Sequence, residues 1–175
     1  DGTVDLPVDQ LLHEPAQKTV AALHAAFQKA PLQVSDNAYL VNTGKRLVLV
    51  DTGAGDLFGP TLGKLMSNLK ASGYQPEQVD DIFLTHMHPD HVGGLVKNHV
   101  VQFPNAVVHA DRLEAAYWLS QKNLHSAADA SKGFFEEAMA SVDPYVQAGK
   151  FRPFDGGVEL VPGVRSYPSF GHTAG

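Results

Sequence analysis

The chain has 175 residues, 43% of them hydrophobic, no cysteine and a formal net charge of −6. That is enough apolar material for one globular domain, or for part of a larger one, and it excludes disulfides and thiolate metal ligands. An acidic balance without a basic run argues against nucleic acid, and no apolar run reaches membrane-span length.

The opening "DGTVDLPVD" carries no signal peptide and reads as mid-protein, so a leader further upstream is compatible with it. "AQKTVAALHAAFQKA" (16–30) places Val20, Leu23 and Phe27 at helical spacing and predicts a surface helix. "NAYLVNTGKRLVLVDTG" (37–53) has two β-rich runs around "NTGK", a hairpin signal. "GPTLGKLMSNLKASG" (59–73) predicts a helix from Pro60 to Gly73, with Leu62, Leu65, Met66 and Leu69 on one face. "DDIFLT" (80–85) and "AVVHA" (106–110) read as short buried strands.

"DRLEAAYWLSQKN" (111–123) opens with Asp111 and Glu114 at capping-box spacing and predicts one helix. "GFFEEAMASVDPYVQAG" (133–149) predicts a helix interrupted near Pro144. "VELVPGVRSYPSF" (158–170) is strand-like and runs into "GHTAG". No repeat, low-complexity segment or linker divides the chain, so a single domain over residues 1–175, of α/β or α+β class, is expected.

"LTHMHPDHVGG" (84–94) gathers His86, His88, Asp90 and His91 after a buried strand and before two glycines. Alternate residues of extended chain point one way, so His86, His88 and Asp90 are expected on one side. Pro89 disfavours helix at His88 and is expected to keep the segment extended. Imidazole and carboxylate donors at this spacing suit two adjacent ions, His86 and His88 on one, Asp90 and His91 on the other. Zn²⁺ fits such donors best, with Mn²⁺, Fe²⁺ or Co²⁺ also compatible.

"THMHPDHVGG" resembles the H-x-H-x-D-H signature of the metallo-β-lactamase superfamily. "VLVDTGAG" (48–55) is similar to its upstream strand and D-T-G turn, and "GHTAG" to its later G-H-T-x-G ligand motif. The resemblance implies an αββα sandwich, with His172 completing a triad with His86 and His88. It also implies a bridging Asp and a last His beyond Gly175, so the chain is expected to be an incomplete sandwich, its C-terminal part missing and these residues alone inactive. Asp51 reads equally well as a partner fixing a ligating His or as a turn-forming Asp. Thr85 and Thr173 are candidates to support ligands. His13, His24, His99, His109 and His125 read as ordinary histidines.

The wider stretches "LVNTGKRLVLVDTGAGDLFGPTLGKL", "GYQPEQVDDIFLTHMHPDHVGGL" and "SKGFFEEAMASVDPYVQAGKF" resemble the methyl parathion hydrolase branch. That implies a homodimer with two divalent metals, a metal-bridging hydroxide as nucleophile, Asp90 orienting it, and Phe58, Trp118 and Phe134 around the pocket. Aromatic walls suit aryl lactones, aryl esters or organophosphate triesters. Two departures stand out. The branch carries Arg at the position of Leu11, and its loop before "GFF" is one residue longer. Both shift the expectation to a lactonase or aryl esterase with side activity on phosphotriesters. The alternatives are a parathion-type phosphotriesterase and a non-catalytic metal-binding relative. The partners expected are small substrates, not nucleic acid or membrane. An exported location, periplasmic or secreted, is the expectation, with the cytoplasm as alternative.

Overall fold

The computed structural model describes residues 1–173; the last two residues of "GHTAG" lie outside them. In chain order the elements are β1 (Gly2–Leu6), α1 (Val8–Leu11), α2 (Ala16–Ala25), β2 (Leu32–Asp36), β3 (Tyr39–Asn42), β4 (Leu47–Val50) and α3 (Leu65–Ala71). Then come β5 (Asp81–Phe83), α4 (Pro89–Val92), β6 (Val96–Lys97), β7 (Val100–Val101), β8 (Val107–Asp111) and α5 (Arg112–Trp118). The chain closes with α6 (Gln121–Ser126), α7 (Asp129–Gln147), β9 (Phe151–Phe154), β10 (Glu159–Val161) and β11 (Val164–Arg165).

The centre is a five-stranded sheet in the order β3-β4-β5-β8-β9. The predicted hairpin β3–β4 is antiparallel, and β4, β5, β8 and β9 run parallel to their neighbours. Leu47, Leu49, Ile82, Val108 and Ala110 pack with Leu69 of α3, Trp118 of α5 and Phe135, Ala138, Val142 and Tyr145 of α7. This helix-covered face is the core. The expected mixed α/β class is what the structure shows, with β1–β2, β6–β7 and β10–β11 as separate two-stranded pairs. On the other sheet face, Val50, Phe83 and Phe154 border a cavity of about 320 Å³ also lined by Tyr167, Pro168 and Phe170. Among the described residues no helix is long and apolar enough to cross a membrane.

Several elements differ from expectation for identifiable reasons. The helix expected from Pro60 begins only at Leu65, because the Asp1 carboxylate accepts the backbone N–H groups of Ala54, Gly63 and Leu65 at 3.1, 2.9 and 2.9 Å. Gly63 is thereby held at φ +74°, which helix does not allow. Helix α2 stops at Ala25 and leaves Phe27 exposed. The stretch 111–123 is two helices, since the Ser120 side chain caps a new start by accepting the Asn123 N–H.

Helix α7 starts at Asp129 and continues through Pro144. Buried Val142 and Tyr145 anchor the turn around that proline, and Tyr145 Oη donates to the Leu95 carbonyl. Strand β9 contains Pro153, tolerated because β9 lies at the sheet edge.

Candidate metal centre

The parallel strands β4, β5 and β8 all end on one side of the sheet, and the polar side chains follow them. Binding groups gather at such carboxyl ends in open α/β sheets. Directly after β4, Asp51 sits in the left-handed region at φ 58°, one of the few side chains that tolerate it. The segment after β5 bends at Thr85, and His88 itself is extended (φ −68°, ψ 151°) before the chain turns. Pro89 does not prolong it. Instead it opens α4 at the first helical position, where its missing N–H costs nothing. Asp90 therefore lies on a helical turn rather than in line with His86 and His88.

The turn is zipped to the loop after β4. Thr52 donates both its N–H (2.8 Å) and its Oγ1–H (2.9 Å) to the carbonyl of His91. The two glycines expected to let backbone pass do so: a Cβ on Gly93 would come 2.2 Å from the Ala54 oxygen, and one on Gly94 would come 2.0 Å from the Thr52 oxygen.

His86, His88 and His172 each offer a ring nitrogen, and these three atoms lie within 4.8 Å of one another. His86 Nε2 and His88 Nδ1 are 3.2 Å apart. The His91 ring joins them, its centroid 4.0 Å from that of His86. Its Nδ1 is 2.9 Å from Asp51 Oδ2, which leaves Nε2 facing Asp90 Oδ2 at 3.6 Å. Asp51 is buried and clamps Thr85 as well, accepting its N–H on Oδ1 and its Oγ1–H on Oδ2, each at 2.8 Å. The Asp51 carboxylate thus bonds both the His91 ring and Thr85.

Burial, then the charges of His91, His88 and His172, push the His86 imidazole down to about 3. Burial, then His172, lowers His88 too. Burial also works against charge on His91, but the hydrogen bond and charge of Asp51, with Asp90 and Asp36 behind, hold it above its ordinary value. Neutral imidazoles present free lone pairs, so His86 and His88 have the form a metal ion requires.

The four expected pocket residues converge on the same histidines. Leu11, Phe58 and Phe134 line a cavity of about 310 Å³ together with His88 and Asp90. Trp118 and Phe134 line an adjoining one with His88, His172 and Thr173. The Trp118 ring packs edge-on against His88 at 5.2 Å between centroids. His109 stays apart, bonded to Asp81 Oδ1 at 3.1 Å and packed at a tilt against the Phe83 ring.

Two residues escaped the sequence reading. Glu114 is fully buried; the side chain of Asp111 caps α5 by accepting the Leu113 N–H, and Glu114 Oε1 accepts the N–H of Met87, between His86 and His88, at 2.8 Å. Its signal was a charge four residues before Trp118, on the apolar face of α5. Asp36 lines the cavity with Leu11 and Phe58. Its signal was the alternation Leu32, Val34, Asp36, which puts a carboxyl in an inward register.

Parallel strands that end in a cluster of four imidazoles and two carboxylates define the class, an α/β protein with side chains suited to metal. The family match agrees: the Metallo-beta-lactamase superfamily matches residues 33–175, and the chain belongs to that superfamily. Over 61 residues the chain is 43% identical to a Beta-lactamase-like protein 2 homolog of Drosophila melanogaster, which is 34% of this chain and 19% of that protein. The crystal structure of the hydrolase AbOPH, in the beta-lactamase superfamily, is similar with a TM-score of 0.82 and 41% identity over 91% of this chain and 57% of that one. AidC, a dizinc quorum-quenching lactonase solved with the product N-hexanoyl-L-homoserine, shares the fold with a TM-score of 0.72 at 23% identity, covering 93% of this chain and 58% of AidC. The chain thus spans little more than half the length of these two solved proteins.

Proposed function

We propose that this chain carries the first part of a dinuclear metal-dependent hydrolase of the methyl parathion hydrolase-like branch. Its main substrates are aromatic lactones or aryl esters, and organophosphate triesters are a side activity. The observation that carries the reading is the His86–His88–His172 triad, three nitrogens within 4.8 Å beneath an aromatic-walled cavity. The 41% identity to a hydrolase of the superfamily supports hydrolysis, and a dizinc lactonase of the same fold supports lactones among the substrates.

In this reading His86, His88 and His172 hold one ion, and Asp90 and His91 hold the second with ligands the described residues do not supply. Zn²⁺ suits this nitrogen-rich donor set. Divalent ions bound there would supply a water acidified toward neutrality and a Lewis acid for the scissile carbonyl or phosphoryl oxygen. The chain's residues do the rest. Asp51 fixes the tautomer and tilt of His91, and Thr85 fixes Asp51. Asp90, beside His91, is placed to orient the attacking water. Phe58, Phe134 and Trp118 hold a flat ring near His88, and Leu11 leaves the cavity mouth without a cation there.

The test is direct. The full-length protein, with its metal content measured, is assayed on an aromatic lactone and a methyl phosphotriester. The ratio of kcat/KM values reports differential transition-state binding. A ratio well above one supports this reading, a ratio well below one makes phosphotriester hydrolysis the main activity, and failure on both sinks it.

A further inference from the structure

We propose that Asp36 is a specificity-determining residue of the substrate cavity, its carboxyl accepting a hydrogen bond from an N–H or O–H of the ligand. The favoured substrates are then lactones or esters that carry such a donor beside an apolar chain or ring, with N-acylated amino lactones the simplest. This rests on the reading of the site as a lactone- or ester-hydrolysing centre.

Asp36 closes β2 and is 9% exposed. Its Oδ2 is buried and has no hydrogen-bond partner among the described residues. The cavity it lines has apolar walls from Val4, Leu6, Leu11, Phe58 and Phe134, and it opens onto His88 and Asp90. A carboxyl in such walls costs stability unless a donor reaches it. The fold keeps one here, in the register that Leu32 and Val34 fill with hydrocarbon.

Ionised or protonated, the group retains an acceptor oxygen. A ligand with an apolar body fills the walls, and its donor meets Asp36. A fully esterified phosphate has no N–H or O–H. An ionised Asp36 offers its oxygens only lone pairs, so no hydrogen bond forms between the two. The same residue therefore selects for one of the proposed substrate classes and against the other. Burial also raises the Asp36 carboxyl above its usual range, with the charge of His91 opposing, as expected for an acceptor short of donors.

The experiment compares wild type, Asp36→Val and Asp36→Asn, full-length and metal-loaded, on two lactones of equal size. One carries an N-acyl amide N–H and the other an alkyl chain without a donor. Wild type is expected to prefer the amide by about tenfold to a hundredfold in kcat/KM, the range for a hydrogen bond to a charged group. Asp36→Val should bring the ratio close to one, mainly through KM on the amide substrate. Asp36→Asn, which keeps a carbonyl acceptor, should restore part of it.

The apparent Tm of Asp36→Val should equal or exceed that of wild type, because an unmet carboxyl has gone. An unchanged ratio, or a lower Tm with both substrates slowed alike, overturns the proposal and makes Asp36 structural. If wild type cleaves neither lactone, the hydrolase reading fails. Calorimetric binding of the N-acyl amino acid product then decides on Asp36: weaker binding to Asp36→Val supports the proposal, and equal binding overturns it.

Discussion

Asp51 Oδ2 lies 2.9 Å from His91 Nδ1, while Oδ1 of the same carboxylate accepts the N–H of Thr85 at 2.8 Å. One buried carboxylate thus joins the end of β4, the segment leaving β5 and the imidazole that faces Asp90. Asp51→Asn keeps the shape and removes the charge. The His91 imidazole should then fall from its raised value, and, if His91 ligates a metal as proposed, affinity at that position should drop by about 10–100-fold. Competitive metal titration against a chromophoric chelator measures this. Equal affinity would make Asp51 a turn residue only.

The imidazole cluster contributes in two opposite directions to how the metal-free protein responds to pH. His86 has a folded value of about 3 against an ordinary 6.5, so the unfolded chain takes up the proton first. Its contribution to stability is complete above pH 6.5 and is lost as pH falls toward 3, and His88 acts in the same direction. His91 is shifted the other way, so its contribution is complete below 6.5 and is lost as pH rises through its raised value. Urea midpoints of metal-free protein should fall on the acid side, and His86→Ala should flatten that acid limb. An acid limb as steep in His86→Ala as in wild type would contradict the assignment.

How much of this was legible in the sequence follows from what sets each feature. The hairpin 37–53 and the strands at 80–85 and 106–110 were legible, because apolar runs bounded by turn residues have a local cause. So were His86 and His88, whose residue types and spacing carry their chemistry, while His172 was reached only through the resemblance of "GHTAG" to a family motif. The late start of α3 was not, because its cause is a carboxylate more than sixty positions away, at Asp1. The roles of Asp36 and Glu114 were hidden for the same reason: each depends on what a buried carboxyl meets across the fold, which periodicity does not encode. Pro89 was misread in part. It restricts His88 as expected, yet the same ring starts a helix as readily as it ends a strand.

Glu114 supplies the acceptor for the Met87 N–H, which lies between two of the triad histidines. Glu114→Ala leaves that buried donor unmet and should cost about 1–3 kcal/mol, together with looser placement of His86 and His88. Glu114→Gln keeps a carbonyl oxygen and should recover most of the stability. Chemical denaturation of the metal-free forms, with zinc affinity measured alongside, separates the two effects. An alanine variant with wild-type stability and affinity would show that water meets the Met87 N–H equally well.

Gly94 makes the tightest backbone approach at the site, with the position of its missing Cβ 2.0 Å from the carbonyl oxygen of Thr52. That oxygen is backbone and cannot swing aside. Moving it would also disturb the bonds from Thr52 to the His91 carbonyl and from the Gly94 N–H to the Gly53 carbonyl. Gly94→Ala should therefore separate the loop after β4 from α4, at a cost of about 4 kcal/mol or more. Because Asp51 and His91 lie on the two separated segments, metal affinity should fall along with stability. Gly73→Ala is the contrast: no atom lies within 4 Å of its added Cβ, and only backbone strain at φ +86° opposes it. Thermal unfolding of both variants, with and without zinc, should show a large zinc-induced gain in Tm for Gly73→Ala and little for Gly94→Ala. Equal gains would mean that the loop and α4 do not position His91.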